Sequence, residues 1–282
     1  MGLMKHRLLG LGDNTVDTYV DRGLQFPGGN AVNVAVQARR LGAQTGYLGC
    51  LGSDEAGMHI VDALRSEGVD TARCRIRPGS NARAFIGHDG QDRRFLRSER
   101  GVRGEWGAID AADRAYIASF DLVHSSIYSE LGDALPIVRA AARSLSYDFS
   151  ERWSDENLAA TLPSVDIAFL SHPSASDAEC RTLMERCSGW GAGMVVATRG
   201  VKGALALADG RLHEQPASSA SVVDTLGAGD GFIAACLLAI LDGAGIAAAL
   251  AAGAEQAAQV CGYQGGFGHG VAWAPAAEVP VI

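Results

Sequence analysis

Short apolar runs alternate along this chain with longer segments in which apolar residues recur every three or four positions. The runs at 8–11, 45–51, 121–124, 146–149, 165–170 and 193–198 predict strands. Helices are predicted over 31–41 and 56–66, ending at Gly42 and Gly68, because glycine readily takes the left-handed turn that closes a helix. Further helices fall near 110–118, 129–143, 154–162 and 174–188. This βαβα rhythm predicts a mostly parallel sheet covered by helices on both faces. Residues 72–77, 82–88 and 93–97 break the rhythm. They read as successive strands, with Asp89-Gly90 as a turn, and predict a small attached sheet that could serve as a lid. A polar segment containing Gly28-Gly29 separates the first strand from the first helix.

Residues 232–241 are wholly apolar and 246–254 nearly so. Asp242, Gly243 and Gly245 interrupt them well short of the ~20 residues a membrane span needs. Two buried helices joined by a tight turn are predicted instead.

Composition narrows the partners. A hydrophobic share of 48% with 20% charged residues describes a globular chain able to build a sizeable core. The net charge of −8 argues against a nucleic-acid-binding face, which would show as a basic patch. An anionic nucleotide remains compatible, because helix-start N–H groups bind phosphate without basic side chains. The only lysines are Lys5 and Lys202, so arginine carries nearly all the positive charge. The six cysteines are scattered with no CxxC pair, which predicts buried free thiols and no zinc site. The first seven residues lead straight into a strand-like run with no signal peptide, making the cytoplasm the default location.

The most informative segment is Asp224-Thr225-Leu226-Gly227-Ala228-Gly229-Asp230-Gly231, directly before the long apolar helix. Gly227, Ala228 and Gly229 let backbone amides crowd together, and the helix start adds unpaired N–H groups and partial positive charge. Such a turn can hold phosphate oxygens and stabilise charge during phosphoryl transfer. Asp230 at its mouth can accept a proton from an attacking hydroxyl. It also reads as a helix cap, and the two roles are compatible. No Gly-Lys-Ser/Thr occurs, which excludes a P-loop, and Gly10-Leu11-Gly12-Asp13-Asn14-Thr15 lacks the third glycine of a dinucleotide fingerprint.

Asp224-Thr225-x-Gly227-Ala228-Gly229-Asp230 resembles the C-terminal signature of ribokinase-like (PfkB) carbohydrate kinases. Pro27-Gly28-Gly29-Asn30-Ala31-Val32-Asn33-Val34-Ala35, continuing to Leu41-Gly42, resembles their N-terminal signature. The resemblance covers almost the whole chain. It implies a single three-layer αβα domain over 1–282, with a small β-sheet lid formed by about 13–28 and 72–100. Within the family the chain is similar to fructoselysine 6-kinases, on Gly12-Asp13-Asn14-x-Val16-Asp17-x-Tyr19 and Leu48-Gly49-Cys50-Leu51-Gly52-x-Asp54-Glu55-x-Gly57.

The resemblance implies Asp230 as catalytic base and Gly227, Ala228 and Gly229 as anion hole. It puts the sugar on Asp13, Asp17, Gly28, Gly29, Asn30 and Asn33. Thr198, Gly200 and Gly203 fall at a turn near the ATP phosphates, and Asp224 at the position of a monovalent cation, K⁺. From the residues alone, Gly200 and Gly203 equally suit a hairpin, Asp13 a strand-end turn and Asn30 a helix cap. Ser171-His172-Pro173-Ser174 departs from the family's Asn-x-x-Glu run, which leaves Mg²⁺ handling there in doubt, and His172 reads as a loop residue. Asp148-x-Ser150-x-Arg152 resembles the family's Asp-x-Asn-x-Arg run, and Arg152 suits either a substrate contact or a solvated helix start. Of Arg83, Arg94 and Arg97 on the lid strands, one is a candidate partner for a substrate carboxylate; a solvated strand face is the alternative.

The expectation is therefore transfer of a phosphoryl group from MgATP to a primary hydroxyl of a sugar or sugar-amine, the 6-hydroxyl of a fructosamine such as fructoselysine. Fructose, ribose or a nucleoside is the alternative acceptor, and a non-catalytic sugar- or nucleotide-binding regulator is the alternative class. Neither nucleic acid nor membrane is expected as a partner. A homodimer through exposed lid edges is.

Overall fold

The computed structural model describes residues 6–89 and 92–274, so Gly90 of the expected turn and the first five residues lie outside the described residues. In chain order, β1 (Arg7–Leu11), β2 (Thr15–Tyr19), β3 (Leu24–Gly28) and α1 (Asn30–Arg40) come first. Then follow β4 (Gln44–Leu48), β5 (Cys50–Gly52), α2 (Glu55–Ser66), β6 (Arg75–Arg77), β7 (Arg83–Asp89) and β8 (Asp92–Glu99). The alternating half runs α3 (Ala111–Ala118), β9 (Leu122–Ser126), α4 (Ala134–Ala141), β10 (Leu145–Asp148), α5 (Asp155–Thr161), β11 (Ile167–Ser171), α6 (Asp177–Gly189) and β12 (Met194–Thr198). A hairpin of β13 (Ala204–Ala208) and β14 (Arg211–Gln215) precedes α7 (Ala228–Leu241), α8 (Ile246–Val260) and β15 (Val271–Ala272).

The main sheet has the order β14-β13-β12-β11-β10-β9-β1-β4, parallel from β12 to β4 and antiparallel at the hairpin. Successive strand residues point to opposite faces, and here both faces are buried. Val123, Leu170 and Val195 enter a core closed by Ile117 of α3, Val138 of α4, Leu158 of α5 and Met184 of α6. Their neighbours Leu122, Phe169 and Val196 enter a second core under Val34 of α1, Phe232 and Leu237 of α7 and Leu250 of α8. The apolar segment at 232–260 thus forms two packed helices, as its interrupted run predicts. No helix among the described residues is long and apolar enough to cross a membrane.

Several boundaries differ from the sequence reading. The strand at 45–51 divides at Gly49, where a Cβ would lie 2.0 Å from the Tyr47 hydroxyl and 2.5 Å from the Gly12 carbonyl. Its second part, β5, pairs with β6, so residues 75–77 belong to a separate two-stranded ribbon and not to the sheet that holds β7 and β8. The helix read over 129–143 begins only at Ala134, because Ser126 caps a single 3₁₀ turn and Glu130 and Gly132 adopt positive φ. The one read over 174–188 begins at Asp177, where Ser176 and Glu179 form a capping box.

The second sheet has the order β15-β3-β2-β7-β8. The segment that reads as polar contributes β2 and β3, whose Tyr19 and Phe26 pack with Ile86 against Leu226, just before α7. This contact places the sheet over the start of α7.

Candidate active site

The site gathers beyond the carboxyl ends of the parallel strands, where open α/β sheets commonly bind ligands. Asp13 follows β1 and caps α1. Its carboxylate accepts the N–H of Asn30 at 2.7 Å, that of Ala31 at 3.3 Å and the Ser126 hydroxyl at 2.7 Å. The chain reaches α1 through Gly29 at φ 108°, where a Cβ would come within 2.5 Å of the Asn14 Cα, so only glycine fits. Asn30 and Asn33, one turn apart on α1, then present their amides to the same side.

Asp230 meets them there. Asn33 Nδ2 donates to Asp230 Oδ2 at 2.6 Å and Asn30 Nδ2 to Asp230 Oδ1 at 2.7 Å. The cap position of α7 belongs to Gly227, not to Asp230, which frees this carboxylate from the capping role. Gly227 has φ 77°, and a Cβ there would sit 2.6 Å from the Gly266 Cα. The N–H groups of Gly227, Gly229 and Asp230 have no partner among the described residues, whereas that of Ala228 reaches the Thr225 carbonyl at 3.3 Å. The space beside Gly229 is open. A carboxylate therefore stands beside unpaired amides at a helix start.

The surrounding charge is mostly negative. Burial pushes the Asp230 carboxyl up to about 7, against the pull of the Asn33 and Asn30 amides. Asp148, on β10, is also raised to about 7 by burial, and it accepts the Asn30 amide at 2.9 Å. Asp17, on β2, is pushed up to about 8 by burial and by Asp230, Asp224 and Asp13, while Arg93 lowers it. The Asp17 carboxyl lies against Gly28, where a Cβ would fall 2.2 Å from Oδ2. Beside it, Asn33 Oδ1 is buried with no hydrogen-bond partner among the described residues, as is Asn14 Oδ1. These oxygens could accept hydroxyl groups of a polar ligand.

Arg93 of β8 brings positive charge to this cluster, and the sequence reading missed it in favour of its neighbours. Arg83 donates to Gln25 at 2.9 Å, Arg97 lies 3.7 Å over the Phe85 ring and pairs with Glu99, and Arg94 is exposed. A β-bulge opposite Phe85 and Ile86 shifts the register of β8, so simple alternation does not reveal which arginine turns inward. Arg152 is exposed over the Tyr128 ring at 5.7 Å.

Thr198 ends β12, and Gly200 and Gly203 form the turn into β13 with φ 57° and 87°. The hairpin reading of these glycines is thus realised, since β12 and β13 are antiparallel. Arg199 is buried between Asp177 and Glu214. His172 stacks edge-on against Trp153 at 5.4 Å, as a loop residue would, and Ser171 donates to Glu151 at 3.4 Å. Asp224 is heavily engaged: it accepts the Tyr19 hydroxyl and the N–H groups of Leu226 and Gly265, both at 2.9 Å. All six cysteines are free thiols, five of them buried.

Comparison with known proteins agrees with this geometry. The family model for pfkB family carbohydrate kinases matches residues 4–268. The chain is 41% identical to a fructosamine kinase of Bacillus subtilis, over 94% of each chain. It is 34% identical to a fructoselysine 6-kinase of Escherichia coli, over 91% of this chain and 98% of the other. Its fold is similar to that of Arabidopsis thaliana ribokinase solved with ribose and ATP, with a TM-score of 0.80, 21% identity and coverage of 93% and 94%. A carboxylate held by two asparagines at a glycine-rich helix start, on this fold and with these relatives, identifies the chain as a member of the pfkB family of carbohydrate kinases.

Proposed function

We propose that the chain transfers the γ-phosphoryl group of ATP to the 6-hydroxyl of a fructosamine such as fructoselysine, with Asp230 as general base. The observation that carries this reading is the pairing of Asp230 with Asn30 and Asn33 beside the unpaired N–H groups of α7. The acceptor class rests on the fructosamine and fructoselysine kinases among its relatives.

In this mechanism Asp230 takes the hydroxyl proton as the sugar oxygen bonds to the γ-phosphorus. The bond from that phosphorus to the bridging oxygen breaks, and ADP leaves with the electron pair. The amides of Gly227, Gly229 and Asp230 stabilise the charge on the transferring group. The Thr198, Gly200 and Gly203 turn borders the nucleotide. Asp17, Gly28, Gly29 and Asn33 border the sugar, with Asp17 and Asn33 Oδ1 accepting hydrogen bonds from its hydroxyl groups; Asp13 and Asn30 hold that wall in place.

Mg²⁺ arriving with ATP would supply charge neutralisation for the phosphates, and Glu151, which accepts the Ser171 hydroxyl, is the carboxylate that would help hold it where the Asn-x-x-Glu run is missing. Asp224 fits a direct K⁺ ligand poorly, because Tyr19, Leu226 and Gly265 already engage it and Arg93 stands nearby. The second sheet acts as a lid that excludes water. Phe95 and Leu96, 64% and 53% exposed on its edge strand β8, support a homodimer through the lid. The cytoplasm, where ATP is abundant, is the compartment that suits this reaction.

The deciding experiment offers ATP with fructoselysine, fructose, ribose and adenosine, and follows ADP release and the phosphorylated product. Fructoselysine should give the highest kcat/KM. Turnover only with the unmodified sugars or the nucleoside would retire the fructosamine assignment, and silence on all four would retire the kinase reading.

A further inference from the structure

His124 on β9 is fully buried and is not among the residues assigned above to the base, the anion hole or the sugar wall. Its Nε2 is 2.9 Å from Asn30 Oδ1 and its Nδ1 is 2.8 Å from the Ser146 hydroxyl. The roles in this chain of contacts are determined by its far end. Asn30 Nδ2 has two hydrogens, and the two carboxylates it faces, Asp148 and Asp230, can only accept when ionised. Asn30 Oδ1 therefore points away from them, towards His124. It follows that Nε2 carries the imidazole proton and donates, that Nδ1 is the acceptor, and that Ser146 donates to it.

We propose that His124 is a positioning residue for the phosphoryl-transfer reaction: as a neutral imidazole with its proton on Nε2, it locks the Asn30 amide so that both N–H groups face Asp148 and Asp230. This inference rests on Asp230 as the base. Without the lock, the amide can turn over and present Oδ1 to two carboxylates, replacing a donor with a repelling acceptor. Burial holds His124 down to about 3, so the imidazole stays neutral across the working pH range. A protonated ring would have no acceptor for Ser146.

The groups facing Asp230 come from every side: Asn30 and Asn33 of α1, Asp13 after β1, Arg93 of β8, and Asp17 and Asp148 from β2 and β10. Within that mostly negative setting, the Asn30 donor is one of the few influences that favour the ionised base. Losing its orientation raises the pH at which Asp230 ionises.

The test is the pH profile of kcat/KM for wild type, His124→Phe, His124→Gln and Ser146→Ala, with melting temperatures as a fold check. His124→Phe should move the acid limb up by about one pH unit, so that activity near pH 6.5 falls about tenfold and recovers towards wild type near pH 9. His124→Gln, which keeps an N–H donor, should restore most of the limb. Ser146→Ala, a small truncation that releases the tautomer, should shift it in the same direction by less. An unmoved limb in His124→Phe, or an equal loss of activity at every pH, overturns the positioning role. If His124→Phe does not fold, an unmoved limb in Ser146→Ala does so. Asp230→Asn separates this from the underlying reading: near-normal turnover in that variant removes the base itself, whatever His124 does.

Discussion

Arg93 Nε stands 3.8 Å from Asp224 Oδ1, linking the second sheet to the segment that leads into α7. The distance exceeds a hydrogen bond, so the contact is electrostatic. Its reach extends further, since Arg93 also favours the ionised forms of Asp17 and Asp230. Arg93→Ala should therefore shift the acid limb of kcat/KM to higher pH; a shift of about one unit from about 7 lowers activity at pH 7 by roughly fivefold. Arg93→Lys, which keeps the charge, should lie between. A pH–rate series checks this, and a profile identical to wild type in Arg93→Ala contradicts it.

Asp230→Asn should cut kcat by about 10²–10⁴, the usual worth of a positioned base. Calorimetry should find ATP and sugar binding retained. In the wild type, the working form is the carboxylate, so activity should rise with pH through about 7. A variant as fast as the parent would end the general-base role.

Two neighbouring glycines should respond differently to alanine. Gly227→Ala forces a side chain into positive φ and against Gly266, at a cost of about 1–2 kcal/mol for the left-handed backbone plus the clash. Its melting temperature and activity should both fall. At Gly229 the space is open and φ is ordinary. There alanine should leave the melting temperature unchanged or slightly higher, while its methyl group intrudes on the phosphate and raises the KM for ATP several-fold. Equal losses of stability in the two variants would contradict this geometry.

Asp17 gives a stability prediction. Folding raises its pKa from 3.8 to about 8, so the folded state favours the protonated form. That contribution is complete below about pH 4 and is lost as pH rises through about 8. Asp148 and Asp230 act with the same sign through about 7. Asp17→Asn should therefore melt about 2–4 °C higher than wild type at pH 9 and gain clearly less at pH 5, while binding sugar more weakly. Scanning calorimetry at both pH values checks it. A gain of the same size at pH 5 would show that ionisation is not its cause.

The layered α/β plan was legible in the order of residues, because runs buried on two faces and helices buried on one leave different periodicities. It also located the turn at 224–231 and Asp230, since glycines that admit close backbone approach are visible as residues. Burial of β2 and β3 was hidden by Asp17, Thr18 and Gln25, polar residues that suggest a loop. Whether 75–77 joined the second sheet or β5 depended on the break at Gly49, where any Cβ would clash with Tyr47 and Gly12, a constraint that local propensity does not encode. The tertiary structure alone decided how the site is wired. Asn30 and Asp230 are separated by 200 positions, and Asn30 and His124 by 94. They meet only because α1 and α7 pack side by side on one face of the sheet, with α1 crossing β9. Hydrogen-bond partners of this kind follow from how distant elements close on one another, whereas the pattern along a chain records only which side of each element is to be buried.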